Sequence, residues 1–259
     1  MNRIELRRGV AWYLGLLVWV QIAVAEKNGE LELIDVAGQQ RMLSQQIAKD
    51  YFYLARGVRK ARVARQLKSG VETFLKNHQT LLKRVKDPEI RALLDYLGMA
   101  VQDLAALARQ PFTPENGLQV LDQSEAILEG SEMIVQKLEQ AVGLRKTKLV
   151  NLAGRQRMLA QRIAKLYMAY QAGLSDKALV ESLNKAVDAF EKAHATLVKS
   201  RATTPAIAGR LAHVQRLWQA VVRFYRNVDK VGLPVIVLTT TDRLTQEMDE
   251  IVKLYEQAG

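Results

Sequence analysis

The sequence predicts an all-α protein made of two tandem four-helix bundles, an internal duplication that follows an N-terminal export signal. Three observations carry this expectation. Residues 35–51, DVAGQQRMLSQQIAKDY, are answered by residues 151–167, NLAGRQRMLAQRIAKLY, at an offset of 116 (151 − 35). Nearly everything after residue 30 is rich in Ala, Leu, Gln, Lys, Arg and Glu, with apolar positions recurring at three and four. The five prolines all fall at points where one such helical stretch gives way to the next.

The repeat extends well past its best-matched block. Phe74, His78, Thr80 and Leu81 recur as Phe190, His194, Thr196 and Leu197. After one inserted residue, Asp87-Pro88-Glu89-Ile90 is answered by Thr204-Pro205-Ala206-Ile207. Ile134, Val135, Glu139, Gln140 and Ala141 then return as Ile251, Val252, Glu256, Gln257 and Ala258. One module of roughly 117 residues is used twice, so function belongs where the copies agree.

The elements follow in order. Residues 1–25 read as a cleaved export signal: Arg3, Arg7 and Arg8 are followed by a 16-residue apolar run and by Ala23-Val24-Ala25. That run is short for a membrane-spanning helix, which needs about 20 residues. The expected domains are 26–143 and 144–259. In the first, helices are expected over 31–57, 60–86, 88–109 and 114–142. In the second they are expected over 145–173, 175–201, 204–230 and 234–257. Asp87, Thr113 and Thr204 each precede a proline suited to the first helical turn, and Ser175-Asp176 starts a helix after Gly173. Residues 233–240, LPVIVLTT, have strand-like composition, but their repeat position is the start of a fourth helix. Gly143 is expected to close a hairpin that sets the bundles side by side rather than end to end.

The chain has 38 Lys and Arg against 27 Asp and Glu, a net charge of +11, and no cysteine. Removing residues 1–25 leaves about +9. The basic residues are scattered over helical faces, and export argues against a nucleic-acid partner. The absence of cysteine suits an exported protein stabilised by its core, and it excludes a lipoprotein. The expected location is the periplasm.

On a helical wheel Leu43, Ile47, Tyr51 and Leu54 gather on one side, the expected bundle core. Ile34, Ala37, Gly38, Arg41, Gln45, Ala48 and Phe52 gather on another. Its counterpart is Val150, Ala153, Gly154, Arg157, Gln161, Ala164 and Met168. A helix with two apolar sides must bury both, so the second is expected to meet another helix. An arginine among small residues needs an anion or a carboxylate partner. No acid shared by the two copies lies three or four residues away, because Asp35 becomes Asn151 and Asp50 becomes Leu166. That leaves a bound anion open; the alternative is that Gly38 and Gly154 are packing residues and Arg41 and Arg157 bind backbone or a remote Glu.

The block A-G-x-Q-R-M-L-x-Q-x-I-A-K resembles the N-terminal domain of PilJ-type pilus chemotaxis transducers. Its G-x-x-R-M segment is also similar to the anion-binding stretch of nitrate/nitrite sensor kinases. The resemblance implies a four-helix bundle in which two symmetry-related arginines grip one nitrate. It would assign Gly38 and Gly154, Arg41 and Arg157, and Met42 and Met158 to that site; Gln45 and Gln161, on the same stripes as the arginines, complete the candidate ligand-binding residues. The protein is then expected to act as the ligand-binding partner of a membrane receptor or sensor kinase, or as a scavenger.

His78 and His194 are expected to be structural, since Glu191 precedes His194 by three residues but Leu75 occupies that place before His78. No catalytic, nucleotide, metal or cofactor motif is present in the sequence, so no enzyme and no cofactor are expected. The expected function is an exported sensor-type module binding a small oxyanion between its repeats. The alternative is a helical interaction module of a pilus or chemotaxis-type system without a small ligand.

Overall fold

Helix starts follow the caps written in the sequence. In the computed structural model, which describes residues 3–143, 145–230 and 232–257, Asp87, Thr113, Asp176 and Thr204 each accept a hydrogen bond from the backbone N–H three residues on. Side chains are described from Gly29 onward, except those of Arg145 and Lys146. Of the export signal expected over 1–25, residues 1 and 2 and all the side chains lie outside what is described. The helices are α1 (Arg3–Ala55), α2 (Lys60–Arg84), α3 (Pro88–Leu107), α4 (Pro114–Val142), α5 (Arg145–Gln171), α6 (Lys177–Lys199), α7 (Pro205–Arg226) and α8 (Pro234–Gln257). Among the described residues there is no strand. The strand-like 233–240 stretch opens α8, as its repeat position required. No described helix is long and apolar enough to cross a membrane.

Helices α1–α4 close one up-down bundle and α5–α8 a second, each helix packing on its neighbours in sequence and the last on the first. Gly143 caps α4 in the left-handed region at φ 64°, and α5 turns back from there. The bundles accordingly lie side by side, with α1 packed along α5. Lys49 and Tyr53 of α1 bond to Asp242 and Pro234 of α8, so α1 runs antiparallel to α8. Arg157 of α5 bonds to Asp249 and Gln161 to Thr245, so α5 also opposes α8 and is parallel to α1. Equivalent residues of the two repeats thus meet at one level, as in a two-fold dimer built from one chain.

The second apolar side is buried throughout: Ile34, Ala37, Ala48 and Phe52, with Val150, Ala153, Ala164 and Met168, are in the core. Burial is nevertheless wider than two faces. Gln40, Ser44 and Lys49 of α1 are also shielded, as are Gln156 and Lys165 of α5, so these helices are enclosed nearly all round. A chain of residues 26–143 alone would expose that face and leave Lys49 without Asp242. It should melt well below the whole protein and self-associate through α1, which sedimentation and circular dichroism would show. A monomeric half with the parent's stability would refute the seam as a source of stability.

Candidate functional site at the helix seam

Arg41 on α1 and Arg157 on α5 are each 1% exposed and lie side by side. A methyl group built on Gly38 would sit 3.1 Å from Arg41 Nη2 and 3.8 Å from Arg157 Nη2. One built on Gly154 would sit 3.3 Å from Arg157 Nη2 and 3.6 Å from Arg41 Nη2. The two glycines therefore let both guanidinium groups rest against the helix backbones, a close approach that a side chain would crowd. Of the residues singled out from sequence, these four come together.

The other four have different surroundings. Gln45 Nε2 donates to the Ser124 carbonyl on α4 at 2.8 Å, and Gln161 Nε2 donates to Thr245 on α8 at 2.8 Å. Each amide ties its helix to the last helix of its own bundle. Met158 is a core residue and Met42 packs partly buried against the core.

Each arginine has a remote carboxylate partner. Arg41 Nη1 donates to Glu132 Oε2 at 2.6 Å, and Arg157 Nη1 donates to Asp249 Oδ1 at 2.5 Å. Glu132 and Asp249 are repeat equivalents, on α4 and α8. Arg157 Nη2 also donates to Asp35 of the other bundle. That contact has no mirror image, because Asn151 stands in the place of Asp35 and donates instead to Glu139.

The electrostatics are correspondingly unequal. Burial lowers the Arg41 pKa, with Glu132 opposing the shift and Arg157 adding to it. Burial acts on Arg157 in the same sense, but Asp35 and Asp249 outweigh it and raise its pKa. Glu132 and Asp249 are held below the ordinary carboxylate range, their arginines overcoming the cost of burial. Glu256 is pushed up to about 7 by burial and by Asp35, a sign that carboxylates are crowded at this level. Each arginine also keeps a buried Nε with no hydrogen-bond partner.

A second pair of cations lies further along the same helices. Lys49 is fully buried on α1 and bonds to Asp242 of α8 at 3.2 Å. Its equivalent, Lys165 on α5, is fully buried and bonds to Glu125 of α4 at 2.5 Å. Asp242 and Glu125 are themselves repeat equivalents. Through Glu132 and Asp249 the arginines pair within their own bundle, Arg157 reaching across to Asp35 as well, and through Asp242 and Glu125 the lysines pair across to the other. On α4, Glu125 and Glu132 are seven residues apart, as are Asp242 and Asp249 on α8, so each pair shares one helix face. Sequence reasoning sought partners three or four residues away and missed all four acids. They were legible among the acidic positions that the last helices of both copies retain at an offset of 117, a set that also contains Glu139 and Glu256.

Residues 22–127 and 138–247 each match the family described as type IV pili methyl-accepting chemotaxis transducer N-term. No curated protein and no solved structure matches the chain.

Proposed function

We propose, from the premise that this chain belongs to the family of type IV pilus methyl-accepting chemotaxis transducer N-terminal domains, that it is a sensing module for a small planar oxyanion. The family is one of signalling sensors rather than enzymes. The reading rests on two repeat-related buried guanidinium groups, side by side against Gly38 and Gly154, each with an unbonded Nε. A guanidinium fork suits nitrate, nitrite or a carboxylate.

Three carboxylates already face the two arginines, so the anion would enter by exchange. Arg41 is the half that yields, since it holds one carboxylate where Arg157 holds two. Exchange would release Glu132 from α1 and so convert binding into a change in how α4 seats on α1. An anion with different affinity for the two seatings would shift the balance between them. Export to the periplasm and reporting to a membrane receptor or sensor kinase are parts of the same proposal.

Competition gives the test. Melting and calorimetric titration of the whole chain with nitrate, nitrite, sulfate and acetate should show binding by one planar anion. Glu132→Gln removes the competitor and should tighten binding about tenfold, whereas Arg41→Ala should weaken it ten- to a hundredfold, the loss of roughly 1.5–3 kcal/mol of charge-assisted bonding. A second reading, a helical interaction module, is favoured by the charge balance of the cluster. If neither the parent nor Glu132→Gln binds any anion and Arg41→Ala only melts lower, that reading replaces the first.

A further inference from the structure

The two repeats differ most informatively along the outer face of their third and fourth helices. On α3, Tyr96, Met99 and Asp103 fall on one helical stripe; on α4, Asp122, Glu129 and Met133 fall on another. The helices are antiparallel and close, since a methyl group built on Gly130 of α4 would meet Leu97 of α3 at 3.0 Å. Met133 therefore stands within a turn of Tyr96. Tyr96 is 45% exposed, Met99 63% and Met133 49%. Asp103, Asp122 and Glu129 are exposed around them and have no ion-pair partner among the described residues. This face is apolar with an acidic border.

The same face of the second copy is polar and cationic. Tyr96, Met99 and Met133 are replaced by His213, Arg216 and Glu250, and Ala126 by Arg243. The acids Asp103, Asp122 and Glu129 are replaced by Ala220, Thr239 and Gln246. Glu250 and Glu247 are engaged by Arg210, the latter at 2.8 Å. Arg216 and Arg243 are exposed and have no carboxylate partner among the described residues. The two faces also look in opposite directions. Helices α1 and α5 form the seam, while α3 packs within the first bundle and α7 within the second, on the outer flanks of the pair.

We propose that the α3–α4 face of one molecule docks on the α7–α8 face of a second copy of this chain. Asp103, Asp122 and Glu129 would receive Arg216 and Arg243, whose aliphatic stems would cover Tyr96, Met99 and Met133. Charge selects this pairing. Two α3–α4 faces together would set acids against acids, and two α7–α8 faces would set cations against cations. Because the unlike faces lie on opposite flanks, each molecule keeps one of each kind free, and the contact is heterologous and extends in a row. It involves neither Arg41 nor Arg157 and does not depend on the oxyanion reading.

Sedimentation of the whole chain in low salt should show a mass that rises above the monomer with concentration, and molar salt should weaken the association about tenfold. Met99→Arg/Met133→Glu gives the first face the second copy's residues, and Arg216→Glu/Arg243→Glu makes the second face acidic. Each changes only exposed side chains, so each should remain monomeric with the parent's melting temperature. Mixed, the two variants should form a one-to-one dimer and nothing larger, because one intact face of each kind remains. A parent that stays monomeric up to its solubility limit would overturn the proposal. So would association that either variant leaves unchanged. In particular, dimers of Arg216→Glu/Arg243→Glu as tight as the parent's would mean that the α3–α4 face pairs with itself.

Discussion

Glu125→Ala is expected to lower the melting temperature by about 10 °C, the consequence of leaving a buried ammonium unpaired at a cost of roughly 3–5 kcal/mol. Lys165 is fully buried and its bonds run to Glu125 and to the Ser124 hydroxyl. Burial lowers its pKa to about 8 even with Glu125 present. Arg162 shares that carboxylate through Nε at 3.1 Å and Nη2 at 2.7 Å, so removing Glu125 also sets two cations against each other. The reverse substitution, Lys165→Met, should cost much less, because Glu125 is part-exposed and keeps Arg162. Lys165→Met combined with Glu125→Leu should recover most of the loss. The pH dependence has a definite sign. The folded pKa of Lys165 lies below the unfolded one, so the unfolded chain binds the proton more tightly between about 8 and 10.5, and stability gains as pH rises through that window. The deficit of Glu125→Ala should accordingly shrink between pH 7 and pH 10. Equal losses for Glu125→Ala and Lys165→Met would remove burial of the lysine as the cause.

Asp50→Asn is expected to act in the opposite direction and stabilise the protein at pH 7. Asp50 is fully buried, with Lys49 at 3.3 Å, and burial raises its pKa to about 6 despite that neighbour. Asp242, on the far side of the same lysine, raises it further. A carboxylate whose folded pKa exceeds its unfolded value contributes stability that is full below about 3.8 and lost as pH rises through about 6. Ionised at pH 7, it costs on the order of 1–3 kcal/mol, from a shift of about two units at 1.36 kcal/mol each. Lys49 retains Asp242 at 3.2 Å when Asp50 is neutralised. The second copy has Leu166 at this position, so Asp50→Leu places the other repeat's residue there. Urea unfolding at pH 7 should show the gain in both variants, and at pH 4 the difference should nearly vanish. A gain independent of pH would mean packing, not charge, is responsible.

The pairing of acids with cations explains why the two lysines and two arginines have different consequences. Glu132 and Asp249 hold each bundle to its own first helix, whereas Glu125 and Asp242 hold each bundle to the other. Helices α4 and α8 therefore carry both kinds of contact seven residues apart. The arginine and lysine contacts of each of these helices accordingly lie on one face.

Much of this architecture was determined by the sequence alone, because it rests on local chemistry and on duplication. Capping residues before helix-starting prolines fix where α3, α4 and α7 begin, and Gly143 supplies the left-handed residue at which α4 stops. Duplication fixes the helical state of residues 233–240 against their own composition. A helix with apolar residues on two sides has to meet a second helix, which is why Arg41 and Arg157 were expected at one seam. Only the tertiary structure decided their partners, since Glu132 and Asp249 stand 91 and 92 residues away and no short-range spacing connects them. It also decided that Gln45 and Gln161 serve the helix pairs within each bundle, and that Lys49 and Lys165 cross between bundles. A helical wheel gives the direction in which a side chain leaves its own axis. Which neighbour lies in that direction depends on how eight axes pack, and that is set by the whole core at once.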